Sequence, residues 1–276
     1  MPRLVTGGAV SEKAPRFFEN KVAVVIGGAS GIGAALCRLL AEEHATVVVA
    51  DLNIQSAQEL AQELGDTAGA FQVDVAVPES VQTLIENCVA AHGAIHLVIN
   101  SAGVLAAGSA RDFTDADWSR VLGINLHGVA SATMAAYRVM VDQGFGHVVN
   151  VASLSGLNAP PFFLPYVTSK YAVVGMSIAL RAEAAPHGVK VSVVCPGNVA
   201  TPMISGLASK PSWLSPTIAP ERAAREILRG IRLNKPVIVF PAYARIFWLL
   251  ERGAPWLSSV FRSLIVSKAG SERSGK

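Results

Sequence analysis

The chain has 276 residues, 51% of them apolar and 16% charged, which suits one large buried core and excludes a disordered polypeptide. Its net charge is only +3, and no basic stretch interleaved with aromatics marks a nucleic-acid surface. Cys37, Cys88 and Cys195 lie far apart with no CxxC pair, which fits buried thiols in a reducing, cytoplasmic setting and excludes a disulfide frame or zinc site.

Residues 1–20 lack the apolar core and cleavage site of a signal peptide and read as an N-terminal arm. Strands are predicted over 21–26, 46–50, 70–73, 96–99, 147–151, 189–194 and 237–240. Helices are predicted over 32–43, 53–64, 78–92, 118–142, 165–185 and 219–233. Apolar runs that alternate with helices predict an α/β fold: a Rossmann-type, doubly wound parallel sheet with helices on both faces. The pattern reads as one domain over 21–240, with 241–276 as a C-terminal extension.

The first strand runs into Gly27-Gly28-Ala29-Ser30-Gly31-Ile32-Gly33, and a helix follows. Glycines permit a tight turn and close approach of a pyrophosphate to the backbone, and the helix N-terminus offers free N–H groups. Gly27, Ser30, Gly31, Ile32 and Gly33 are therefore candidate cofactor contacts. Asp51 ends the second strand. A carboxylate there can bind both ribose hydroxyls of an adenosine and repels a 2′-phosphate, and neither Leu52 nor Asn53 supplies a cation. Both features favour NAD over NADP. A cap on the helix beginning near Asn53 is the plainer role for Asp51.

Tyr166 and Lys170 are four residues apart on a predicted helix, with Ser153 thirteen positions upstream. Ionising a phenol near neutrality takes a shift of roughly 3 units, about 4 kcal/mol. A lysine on the same helical face favours the phenolate, and a serine hydroxyl beside it can hold a substrate oxygen. That set predicts a general acid–base centre for an alcohol or ketone. Ser155 is a second candidate hydroxyl, disfavoured by its spacing, and Tyr171 has no lysine four residues on. No serine sits in a Gly-x-Ser-x-Gly elbow, which argues against a hydrolase. His92 and His96 are four apart, but Gly93 is expected to end the helix between them, so no metal site is predicted.

In order along the chain, these motifs resemble the short-chain dehydrogenase/reductase family over roughly residues 20–240. Gly27, Gly31 and Gly33 match its TGxxxGxG glycines, with Ile26 in the threonine position. Asn100-Ser-Ala-Gly103 matches NNAG, with serine second. The resemblance implies that Asp74 and Val75 contact adenine, and that Asn100, Ala102 and Gly103 line the cofactor. It implies that Asn125 is a catalytic asparagine holding a water on the route from Lys170 to solvent. Pro196 and Gly197, followed by Val199 and Thr201, match the PGxVxT segment beside the nicotinamide. Tyr166 and Lys170 then contact the cofactor as well as the substrate, Lys170 through the nicotinamide ribose. A non-catalytic NAD(H)-binding sensor on the same fold is the rival function, and such proteins lose the tyrosine or lysine.

Two apolar segments are expected to line the substrate pocket: residues 157–165, and a lid-like stretch over 202–217 with Met203, Ile204, Leu207, Trp213 and Leu214. Few cations accompany them, which favours a hydrophobic secondary alcohol or ketone of steroid, retinoid, terpenoid or long-chain type over a phosphorylated one. Residues 235–276 hold 7 Lys and Arg against 2 Asp and Glu, whereas 1–234 hold 16 against 18. In the extension Leu257, Val260, Phe261, Leu264 and Ile265 share one helical face, downstream of Ile246, Phe247, Trp248, Leu249 and Leu250. A basic amphipathic segment of this kind lies on a membrane surface or packs on protein. The resemblance also implies a homodimer or homotetramer built through the long helices.

Overall fold

Seven strands, β1 (Val22–Ile26), β2 (Thr46–Asp51), β3 (Ala68–Gln72), β4 (Leu97–Asn100), β5 (Gly146–Val151), β6 (Val189–Pro196) and β7 (Val237–Phe240), form one sheet in the order β3-β2-β1-β4-β5-β6-β7. Every neighbouring pair is parallel. This computed structural model describes residues 16–205 and 216–257, with Ser259, Val260 and Ser263. The helices are α1 (Gly31–Glu42), α2 (Ile54–Leu64), α3 (Pro78–His92), α4 (Asp115–Leu122), α5 (Val129–Gln143), α6 (Leu164–Ala184), α7 (Pro220–Arg232) and α8 (Ala242–Gly253).

Side chains on a strand alternate between its faces, so each apolar run feeds two cores. Val25, Val47, Val49 and Ile99 pack with α1, α2 and α7. Val24, Ile26, Val48 and Val98 pack with α3, α5 and α6 on the opposite face. Local chemistry sets the helix ends. Asn53 caps α2 by accepting from the Ser56 N–H (3.1 Å). Pro78 opens α3, and Gly93 closes it in the left-handed region, at φ 77°. His92 and His96 are separated there as expected, and His96 Nδ1 accepts from the Val22 N–H (3.1 Å). Among the described residues no His, Cys, Asp and Glu side chains cluster to hold a metal. The three cysteines are free and buried.

Three boundaries differ from the sequence expectation. Residues 16–20 belong to the domain: Phe18 is fully buried against the α1–α7 layer, with Arg232 over its ring. The helix expected over 118–142 is three segments, because a π-type turn at Gly123–Gly128 separates α4 from α5. The domain also does not stop at residue 240, since Ala244 of α8 is buried and Tyr243 and Trp248 pack beside β6 and β7. The outer side of α8 and the turn after it leave Ile246, Leu249, Trp256, Leu257 and Val260 exposed. Phe261, Leu264 and Ile265 of the expected apolar face lie outside the described residues, as do residues 206–215 of the lid-like stretch. Among the described residues no helix is long and apolar enough to cross a membrane.

Candidate active site

The chain builds β1, β2 and β3 outward, then returns to lay β4 on the other side of β1. Loops after β1 and β4 therefore diverge and leave a crevice at the C-terminal ends of the strands. The register places Ile26 beside Asn100 and Asn100 beside Asn150, so the loops after β1, β4 and β5 start at one level. Gly27 is left-handed, at φ 76°, and a Cβ there would lie 2.5 Å from Ala102 N, which seats the glycine turn on the Asn100–Gly103 segment. A Cβ on Gly33 would lie 2.0 Å from Gly27 O, so α1 starts closer to the turn than any side chain permits. Ser30 sits extended at the head of α1, no side chain caps that end, and its first turn holds no acid. The free N–H groups and the glycine cradle fit a pyrophosphate. Ile26, in the family's threonine position, is buried among the α3–α5–α6 apolar side chains.

Asp51 does more than cap a helix. Its Oδ2 accepts from the Ala29 N–H (3.0 Å) and its Oδ1 from the Asn53 N–H (3.0 Å), so one carboxylate ties the glycine turn to the entry of α2. Each oxygen keeps a further lone pair for a hydroxyl. Leu52 beside it is exposed. Asp74 accepts from the Ala76 N–H (2.9 Å), and its own N–H donates to Ser80 (3.1 Å). A Cβ on Gly128 would lie 2.8 Å from Val75 O, so the π-type turn bears directly on the segment expected at adenine.

The four residues expected to carry chemistry meet at one point of the crevice. Ser153 follows β5, and its hydroxyl accepts from the Ser155 N–H (3.1 Å) while lying close enough to Tyr166 to favour the phenolate. Ser155 thus positions Ser153. Lys170 is buried, lies 5.6 Å from the centre of the Tyr166 ring and donates to Val151 O (3.0 Å). Asn125, also buried, closes a two-way bond with Val104: Oδ1 accepts from the N–H (2.8 Å) and Nδ2 donates to the carbonyl (2.8 Å). The same Nδ2 donates to Ser169 (3.2 Å), whose hydroxyl donates to Tyr166 O (2.7 Å). A Cβ on Gly103 would lie 3.2 Å from Asn125 Oδ1 and 3.6 Å from Lys170 Nζ, which places both beside the cofactor segment.

Electrostatics in the chain alone correct one expectation. Burial pushes the Tyr166 pKa up, and the neighbouring Ser153 hydroxyl pulls it part of the way down. Lys170 does not depress it here. Burial lowers the lysine itself to about 8, and its amine faces a carbonyl rather than the phenol. Cys195 lies beside Ser153, but burial holds its thiol at about 12, so it is no nucleophile.

The segment after β6 completes the crevice. Gly197 donates to Phe240 O (2.8 Å), Val199 bridges to Ile218, and the Thr201 side chain would sit 3.0 Å from a Cβ on Gly31. Thr201 and the glycine turn are thereby in contact, as a single cofactor spanning both requires. Met203 reaches the Asn100–Gly103 segment, its Cε 3.7 Å from a Cβ on Gly103, and residues 157–165 hold no charged side chain.

Sequence reasoning missed Ser169, Gly128 and Gly156. A Cβ on Gly156 would lie 2.6 Å from Lys170 O, so this glycine lets the Ser153 turn rest on the α6 backbone. Glycines at 123 and 128 flanking Asn125 were the available signal for the π-type turn.

A family model for short chain dehydrogenases matches residues 21–212. The 3-alpha-(or 20-beta)-hydroxysteroid dehydrogenase of Mycobacterium tuberculosis is 35% identical over 184 residues, 67% of this chain and 71% of that protein. D-threitol dehydrogenase of Mycolicibacterium smegmatis is 39% identical over 186 residues, 66% and 72% of the two chains. A short-chain dehydrogenase/reductase from Burkholderia phymatum, solved in complex with NAD, superposes with a TM-score of 0.80 at 26% identity, covering 87% of this chain and 95% of that one.

Proposed function

Because the chain belongs to the short-chain dehydrogenase family, we propose that it is an oxidoreductase that uses NAD to interconvert a hydrophobic secondary alcohol and its ketone. One observation carries the chemistry: the buried Lys170 amine lies 5.6 Å from the centre of the Tyr166 ring, and Ser153 sits beside the same phenol. Tyr166 takes the proton of the alcohol oxygen in oxidation and returns it in reduction. Ser153 donates to that oxygen and offsets the charge developing on it. Lys170 would hold the nicotinamide ribose. Asn125 fixes Val104 and Gly103 against Lys170. Bound nicotinamide supplies the two-electron acceptor.

Asp51 supports NAD over NADP, because a carboxylate already tied to the glycine turn meets the ribose edge. The named relatives span a steroid and a small polyol, so the substrate class rests on the uncharged segment 157–165 and on Met203 beside Gly103. The deciding experiment is a turnover screen over hydroxysteroids, retinoids, cyclic and aliphatic secondary alcohols and polyols, with NAD and with NADP. Steroid or cyclic alcohol oxidation with NAD is expected. Preference for polyols would overturn the substrate class. Stoichiometric NADH binding with no turnover of any alcohol would favour the sensor instead.

A membrane-surface location belongs to the same proposal. Ile246, Leu249, Trp256, Leu257 and Val260 are exposed on one short stretch that carries exposed Arg245 and Arg252, within a C-terminal segment of strongly positive balance. Apolar side chains edged by arginines match an anionic bilayer interface, while two copies pairing through this face would set like charges together. Sedimentation with vesicles of phosphatidylcholine and phosphatidylserine is expected, and Leu249→Glu with Trp256→Glu should abolish it. Equal sedimentation of that double variant would sink the idea.

A further inference from the structure

Tyr243, the second residue of α8, touches the cofactor segment from behind. Its hydroxyl accepts from the Asn198 N–H (2.8 Å). Its ring lies across Gly197 so closely that a Cβ there would sit 2.2 Å from the hydroxyl and 2.7 Å from Cζ. Phe247 meets the ring edge-on at 6.1 Å, and Val193, Cys195 and Val239 form the floor beneath it. Beyond Asn198 the strand-like bridge takes over: Ile218 donates to Asn198 O (3.0 Å) and Ala200 to Ile218 O (2.9 Å). Residues 196–201 are therefore held at one end by Tyr243 and at the other by Ile218, with Val199 between them and Thr201 against Gly31. Burial raises the Tyr243 pKa and keeps the phenol neutral, so it serves as a fixed hydrogen-bond acceptor and not as a second base.

We propose that Tyr243 is a positioning residue, which sets the hydride-transfer geometry by clamping Gly197 and Asn198 beneath the nicotinamide. The proposal rests on the assignment of residues 196–201 to the nicotinamide side of the crevice. Reacting atoms must lie within a few tenths of an ångström of a productive separation, and a misplacement near 1 Å costs roughly 100-fold. Loss of one hydrogen bond to a stationary loop should therefore slow turnover before it weakens binding.

Tyr243→Phe keeps the ring on Gly197 and removes only the acceptor for Asn198. It is compared with wild type by NADH fluorescence titration, thermal melting, and steady-state oxidation of the best alcohol of the panel, protiated or deuterated at the carbinol carbon. The expected result is a fall in kcat of about tenfold and a larger deuterium isotope effect, with NADH affinity changed less than about threefold. Gly197→Ala, which pushes into the ring, should move the same quantities in the same direction. An active wild type whose Tyr243→Phe variant keeps its kcat and isotope effect would overturn the role of Tyr243. A variant that loses melting temperature, NADH affinity and kcat together would overturn it too, because Tyr243 would then act through packing alone. Wild-type protein that oxidises no alcohol would instead overturn the assignment of the crevice.

Discussion

Tyr166→Phe is expected to lower kcat by at least about 100-fold, the low end of what a positioned proton acceptor contributes, while NADH binding stays near wild type. The variant removes one oxygen. The ring remains packed in α6, four residues before a lysine whose amine is held by Val151 O, so the fold and the cofactor cradle lose nothing else. Ser153 keeps its Ser155 N–H donor and stays in place. The pH profile adds a second readout. Burial raises the phenol pKa, so the phenolate needed for oxidation is scarce at low pH and the oxidation rate should climb with pH. Reduction needs the protonated phenol, and its rate should fall over the same range. Both limbs should vanish in Tyr166→Phe. Rapid quenched-flow turnover combined with an NADH fluorescence titration separates chemistry from binding. Near wild-type kcat in this variant would remove the tyrosine from the mechanism.

The sheet and its helices were legible because parallel strands buried on both faces leave unbroken runs such as Val22–Ile26, which the intervening helices punctuate. The site was legible where chemistry imposes a spacing, as at Tyr166 and Lys170, or a backbone approach, as at Gly27 and Gly33. Asn125 was legible as a residue but not as a geometry. Its residue type and helical context say nothing of the π-type turn that carries it, whose last residue, Gly128, packs on Val75. The Tyr166 pKa was misjudged for a related reason: helical spacing puts Lys170 on the right face but not its amine at the phenol. Tyr243 was invisible because its partners, Asn198 and Gly197, lie forty-five and forty-six positions away. Contacts between distant loops are written in the fold and not in local pattern.

Asp51→Ala should collapse cofactor discrimination, and the ratio of the two cofactors is the informative quantity. Asp51 has two duties that single-cofactor kinetics would confuse. It supports the glycine turn through Ala29 and the start of α2 through Asn53. On the proposed reading it also presents negative charge where a ribose 2′-substituent would arrive. Loss of the first duty weakens NAD and NADP alike, whereas loss of the second weakens NAD and relieves NADP. Hydrogen bonds to a charged group contribute about 1.5–3 kcal/mol, so kcat/KM with NAD should fall roughly 10- to 100-fold. Repulsion between a carboxylate and a 2′-phosphate at ~4 Å amounts to about 4 kcal/mol per charge pair at an effective dielectric of ~20, so relief with NADP is of comparable or larger size. The NAD-to-NADP ratio of kcat/KM should therefore drop by at least about 100-fold. Asp51→Asn keeps the size and one acceptor oxygen but turns an amide toward one of the two backbone donors. It should retain more of the turn than alanine does, yet lose discrimination nearly as fully. Steady-state kinetics with both cofactors on the three proteins decides the point. Parallel losses with an unchanged ratio would reduce Asp51 to a brace for the turn, and a wild type equally active with NADP would end the case for NAD.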